Sequence, residues 1–318
     1  MRATSPPPGR MIDVDGHQLL LLCEGKGGPT VILETGMPGM PLTWSHIQPG
    51  IAQFTRVCSY DRAGTGWSDP GPAPRTGRQI VSELHVLLQQ AGLEPPYVFV
   101  AGSFGGHYAR LYTSQYPDEV AGLVFVDCSH EDMVANFPPA MRRIFPVTKY
   151  FMGIFAFLAR LGITRLLGAR LPLFTQIFQE GTPDEVREQL LMHFARPEQW
   201  DGMYAEAAVY RDTEAEVRAA RKATPSFGDI PLVVLTAQGS WSDPKLLPPG
   251  VKPGEITPIW LRLQQDLASL SSQSTHRVFD ELTHTMMIGP VGGKEVIEAT
   301  RQVVEAVRSR SQDVAGET

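Results

Sequence analysis

Cysteine is scarce in this chain: Cys23, Cys58 and Cys128 are the only three among 318 residues. An odd count with no CxxC pair supplies neither a disulfide framework nor a zinc site, so all three are expected as reduced, buried thiols. Positive charge is also in deficit, with 28 Lys and Arg against 34 Asp and Glu and a formal net charge of -6. Nothing electrostatic therefore draws the chain to nucleic acid. No run of about 18 apolar residues appears that could span a bilayer. The opening MRATSPPPGR has prolines where a signal peptide would need an apolar stretch. A cytoplasmic protein is the expectation from these absences.

What is present is the composition of a globular protein, 42% hydrophobic and 19% charged, long enough to bury one large α/β core with an insertion. Short β-branched runs alternate with helical patterns in the first third, the signature of a mostly parallel sheet covered by helices. Strands are predicted at 18–23, 31–34, 56–60, 97–100 and 122–126. Between the third and fourth, Ile80, Leu84, Leu87, Leu88 and Ala91 recur at helical spacing and Gly92 ends the helix. After Asp127 the alternation stops for roughly a hundred residues of helical pattern. Within them, Thr182, Pro183 and Glu185 read as a capping box opening a helix. Strands return at 231–235 and 276–279. A last helix carries Val296, Ala299, Thr300, Val303 and Val307 on one face. The predicted organisation is a core of residues 1–130 and 229–318 with a helical cap at 131–228.

The stretch "VAGSFGGHYARLYTSQYP" (100–117) sets Ser103 between small residues, after an apolar run and before an amphipathic one. A serine exposed on a sharp strand-to-helix turn needs small neighbours two residues to either side, which Ala101 and Gly105 supply. Four stretches then carry a family resemblance: "LETGMPG" (33–39), "YDRAGTGWSDPG" (60–71), "AGSFGG" (101–106) and "YPDEVAGLVFVD" (116–127). They resemble, in order, the HGxP loop, the DRxGxGxS loop, the GxSxGG elbow and the following strand of the α/β-hydrolase superfamily, specifically its cap-bearing serine hydrolases of the esterase and lipase type. Thr35 stands where HGxP has histidine, and Gly102 where the elbow commonly has histidine.

The resemblance implies an α/β-hydrolase fold and a serine hydrolase cleaving carboxylic esters, with a small-molecule ester as substrate and with no cofactor or metal. Ser103 is the expected nucleophile. Its base should lie after the last strand, where His284 sits in "RVFDELTHTMMIG". Two carboxylates qualify as the acid that orients the histidine: Asp127, at the end of "LVFVD", which is preferred, and Asp243, after the strand that follows the cap. The backbone amides of Met37 and Phe104 are the expected oxyanion donors, and both side chains are expected to line the pocket. Asp61 and Arg62 are expected to pair with each other. Other reactions that use the same triad stay open: peptidase, lactonase, carbon-carbon hydrolase and cofactor-free haloperoxidase. So does a non-catalytic ligand-binding protein of the same fold.

In the cap, "KYFMGIFAFLARLGITRLLG" (149–168) is apolar on nearly every side. It reads as a helix buried between cap and sheet, with Phe151, Phe155 and Leu158 forming a hydrophobic entrance for acyl or alkyl esters. It also reads as an interfacial helix making weak contact with lipid, with Arg160, Arg165 and Arg170 meeting phosphate head groups. Oligomeric state is not legible.

Overall fold

A computed structural model describes residues 6–37, 39–168, 182–241, 247, 250–252 and 254–316. Eight strands form one sheet: β1 (Arg10–Val14), β2 (His17–Glu24), β3 (Thr30–Glu34), β4 (Val57–Tyr60), β5 (Tyr97–Gly102), β6 (Val120–Val126), β7 (Leu232–Ala237) and β8 (Ser274–Phe279). Their order is β1-β2-β4-β3-β5-β6-β7-β8, antiparallel through β4 and parallel from there on. β3, β5 and β7 are buried along their whole length, which is why they read as unbroken apolar runs rather than as an alternation.

The helices are α1 (Gln48–Ile51), α2 (Gly77–Gln90), α3 (Gly105–Gln115), α4 (Met133–Asn136), α5 (Pro139–Arg160), α6 (Ile163–Leu167), α7 (Asp184–Phe194), α8 (Pro197–Ala208), α9 (Tyr210–Ala223), α10 (Thr257–Ala268) and α11 (Gly293–Gly316). Successive strand residues feed opposite faces of the sheet. Phe99 and Phe125 join the layer under α2 and α3, while Val98, Val100 and Val124 join Val296, Ala299 and Val303 of α11.

The structure departs from the sequence reading in several places. β1 was not expected, although Asp15 and Gly16 between β1 and β2, both at positive φ (52° and 92°), form the two-residue hairpin that a DG pair favours. Helix α7 starts at Asp184 with Pro183 as its N-cap and no side-chain cap, so the expected capping box does not form, and Thr182 lines a cavity. Helix α9 packs on α2 and α3, with Val217 in the core layer and Thr213 Oγ1 accepting the Gly77 N–H at 3.0 Å.

Cys23 and Cys58 are not free thiols. They face each other across β2 and β4 and form a disulfide, with Cα atoms 4.1 Å apart. The pairing follows from the antiparallel register, which joins residues 35 apart in sequence and is invisible in their spacing. Cystines persist in oxidising compartments, so this bridge removes the support that an all-thiol reading lent to a cytoplasmic location. Cys128 is the buried free thiol; burial pushes it up to about 12, and its Sγ donates to the Ala101 carbonyl. Among the described residues, no helix is long and apolar enough to cross a membrane.

Candidate active site

Parallel strands deliver their C-terminal ends to one edge of the sheet, where such folds bind ligands. Gly102 at the end of β5 is in register with Val126 at the end of β6, and Val126 with Leu235 of β7. The next residues, Ser103 and Asp127, therefore emerge side by side. Of three non-glycine residues at positive φ among those described, one is the hairpin Asp15 and the other two are Ser103 (52°) and Asp127 (47°). Left-handed backbone at such residues is strained, and folds tolerate it where geometry over-determines it.

Tight packing holds the serine turn in place. A Cβ on Gly36 would come within 2.8 Å of the Ser103 Cβ, and one on Gly105 within 2.5 Å of the Glu34 carbonyl oxygen. Only glycine lets the loop after β3, the serine turn and the start of α3 converge this closely.

Asp127 is almost fully buried. Its Oδ1 accepts from the Ala237 amide at 3.0 Å and from Trp260 Nε1 at 2.9 Å. Its Oδ2 lies 2.6 Å from His284 Nδ1. The His284 amide donates to Ser240 Oγ at 2.7 Å, which ties the histidine loop to the segment after β7. Burial lowers the basicity of His284, but the hydrogen bond and charge of Asp127 oppose it, and the net displacement is upward from the ordinary histidine value. Asp243 lies outside the described residues.

Ser103 and His284 line one cavity of about 150 Å³, walled by Met37, Leu42, Trp44, Val186, Leu190 and Ile288. Phe104 is the N-cap of α3, but its side chain packs beside His107 and Tyr108 rather than in the cavity. The entrance residues expected from the sequence also lie elsewhere. Phe155 stacks on Trp200 at 4.6 Å, Phe151 is exposed, and neither these nor Leu158 line the cavity. The reason is that the inner face of α5 is occupied by α8; the roof over Ser103 comes from Val186 and Leu190 of α7, four residues apart on one helical face.

Arg62 does not pair with Asp61, whose Oδ2 accepts the Trp67 amide instead. Fully buried, Arg62 donates to Glu34 Oε1 (2.8 Å), to the Thr35 carbonyl (2.7 Å) and to the Gly36 carbonyl (2.8 Å). It also makes a fork onto Glu206 of α8, at 2.9 Å on each arm. Burial raises Glu34 to about 7, against the opposing pull of Arg62 and the hydrogen bond from Tyr60. A carboxylate of α8 thus reaches, through one guanidinium, the loop that carries Gly36 and Met37. Glu206→Ala leaves that guanidinium buried without the carboxylate its fork holds, a loss on the order of 3–5 kcal/mol. Denaturant unfolding should show a drop of this size, with a smaller one for Glu206→Gln.

Among the described residues, no cluster of His, Cys, Asp and Glu is arranged to hold a metal ion.

A family model described as the alpha/beta hydrolase fold matches residues 29–162, across the serine turn and the strand that leads to Asp127. The chain has the α/β-hydrolase fold. It is 24% identical over 260 residues to an uncharacterized protein of Schizosaccharomyces pombe, covering 81% of this chain and 43% of that one. It is 34% identical over 104 residues to the uncharacterized protein YqjL of Bacillus subtilis, covering 33% of this chain and 41% of that one. These alignments span less than half the length of either relative. A thermophilic esterase from Thermogutta terrifontis superposes with a TM-score of 0.63 at 22% identity, covering 93% of this chain and 97% of that one, which shows a shared fold.

Proposed function

We propose that the protein is a serine hydrolase that cleaves carboxylic esters of short apolar acyl groups through an acyl-enzyme on Ser103. The observation that carries the reading is the 2.6 Å contact of Asp127 Oδ2 with His284 Nδ1, at a cavity shared with a serine in strained, left-handed backbone. A carboxylate on Nδ1 fixes the tautomer in which Nε2 is free to accept the Ser103 proton.

In the proposed reaction Ser103 Oγ attacks the ester carbonyl as His284 takes its proton. The oxyanion is held by the amides of Met37 and Phe104, and His284 returns the proton to the leaving alcohol. Water then attacks the acyl-enzyme with His284 again as base, which releases the acid and restores Ser103. The Arg62 contacts to the Thr35 and Gly36 carbonyls support the role given to Met37, because they orient the preceding peptides of its loop. A non-catalytic binder would have no use for a strained serine beside an oriented histidine.

A cavity of about 150 Å³ holds a group of benzene size, roughly six carbons. On a series of p-nitrophenyl esters, kcat/KM should peak at acyl chains of about four to six carbons. Val186→Trp should move the peak to shorter chains. A rise that continued through long acyl chains would overturn the size argument, and no turnover of any ester would overturn the reaction.

A further inference from the structure

Helix α5 presents two unlike faces. Met152, Phe155, Ala156 and Ala159 pack inward on Trp200 and Met203. On the outer side, Ile144, Val147, Tyr150, Phe151, Ile154 and Phe157 are exposed, Phe157 at 59%. Leu161, which ends the helix, and Leu166 of α6, at 82%, continue that surface. Scattered exposed apolar residues are ordinary, but a contiguous row along a helix this long marks an interaction surface.

The charge on the same segment is segregated. From Met133 to Gln179 the sequence has six basic residues and no acidic one, in a chain whose net charge is -6. Arg142, Lys149 and Arg160 are 7 and 11 residues apart. At about 100° per residue those spacings return to within about 20° of the same direction, so the three form a line along α5 between its inner and outer faces. Arg142 and Arg160 are exposed and Lys149 is half-buried. Arg160 keeps an exposed contact with Asp201 at 2.6 Å.

We infer that α5 is a membrane-surface helix, which lies in the plane of an anionic bilayer with its outer row in the acyl boundary and its basic line against the lipid phosphates. An apolar strip flanked by Lys and Arg, on a helix too charged to span, is the chemistry that binds there. A second copy of the chain fits the same strip less well, because this segment offers no acidic residue to meet the basic line.

The test is cosedimentation of the full chain with phosphatidylcholine vesicles, with and without phosphatidylserine, alongside sedimentation of the protein alone. The proposal expects binding to the phosphatidylserine vesicles that salt weakens. Binding should fall about fivefold per charge in Arg142→Gln and Lys149→Gln, and at least tenfold in Ile154→Ser/Phe157→Ser, with Tm unchanged because these side chains are exposed. Absence of binding by the folded protein, or equal binding to both vesicle types, would overturn it. A dimer abolished by Ile154→Ser/Phe157→Ser, with no vesicle binding, would assign the face to self-association instead.

Discussion

Ser103→Gly is expected to inactivate the protein and to stabilise it at the same time. Removing the nucleophile of a serine hydrolase costs on the order of a million-fold in turnover, since the base and acid then have nothing to activate. The backbone, however, holds residue 103 at φ 52°, where a side chain is strained and glycine is not, a difference of about 1 kcal/mol. Ser103→Ala should be equally inactive without that gain, because alanine keeps the Cβ that opposes the left-handed turn. Thermal unfolding beside ester turnover checks both. A serine placed there only to complete a loop would give no such loss of activity on removal.

The second large effect concerns the acid. Asp127→Asn is expected to lower kcat by about 10⁴-fold, because an amide at Oδ2 no longer selects the tautomer that leaves Nε2 as the acceptor. The pH profile separates this from simple damage. In the parent, Asp127 holds the His284 pKa above its ordinary value. The free base is therefore lost, and activity with it, as pH falls through that raised value. In Asp127→Asn the negative charge that raises the His284 pKa is lost, which lowers it. The acidic limb of the residual activity should accordingly move to lower pH. A limb that stayed in place, or a loss of less than about tenfold, would point to another carboxylate as the orienting group.

The expectation of Ser103, Asp127 and His284 at one edge of the sheet rests partly on the family resemblance and partly on a physical regularity. In a parallel sheet every strand ends at the same edge, so a polar residue just past an apolar run already has an address. The strand expected at 122–126 was readable in "GLVFV", and Asp127 follows it directly. The choice between Asp127 and Asp243 could not be made from runs alone, because it depends on where the 280–285 loop folds back; the Ser240 contact with the His284 amide belongs to that folding.

Features resting on register or on docking of distant segments stayed hidden. The Cys23–Cys58 bridge needs the β2–β4 pairing, and the Arg62–Glu206 fork joins residues 144 apart. A hydrophobic entrance is expected at Phe151, Phe155 and Leu158 because the segment at 149–168 is apolar on nearly every side; apolarity does not say which side meets the core. The inner face of α5 is satisfied by Trp200, and the more modest α7 turns Val186 and Leu190 toward Ser103. The β1 hairpin carried a usable signal, the Asp15–Gly16 pair, beside a strand of only five residues.

The central claim is that Ser103 is chemically activated by His284. Its most direct test is intact-mass analysis of the folded protein after treatment with a fluorophosphonate. The account predicts a single adduct mapping to Ser103, absent in Ser103→Ala and strongly reduced in His284→Ala. A folded parent that takes up no adduct, or an adduct that persists in Ser103→Ala, would contradict it.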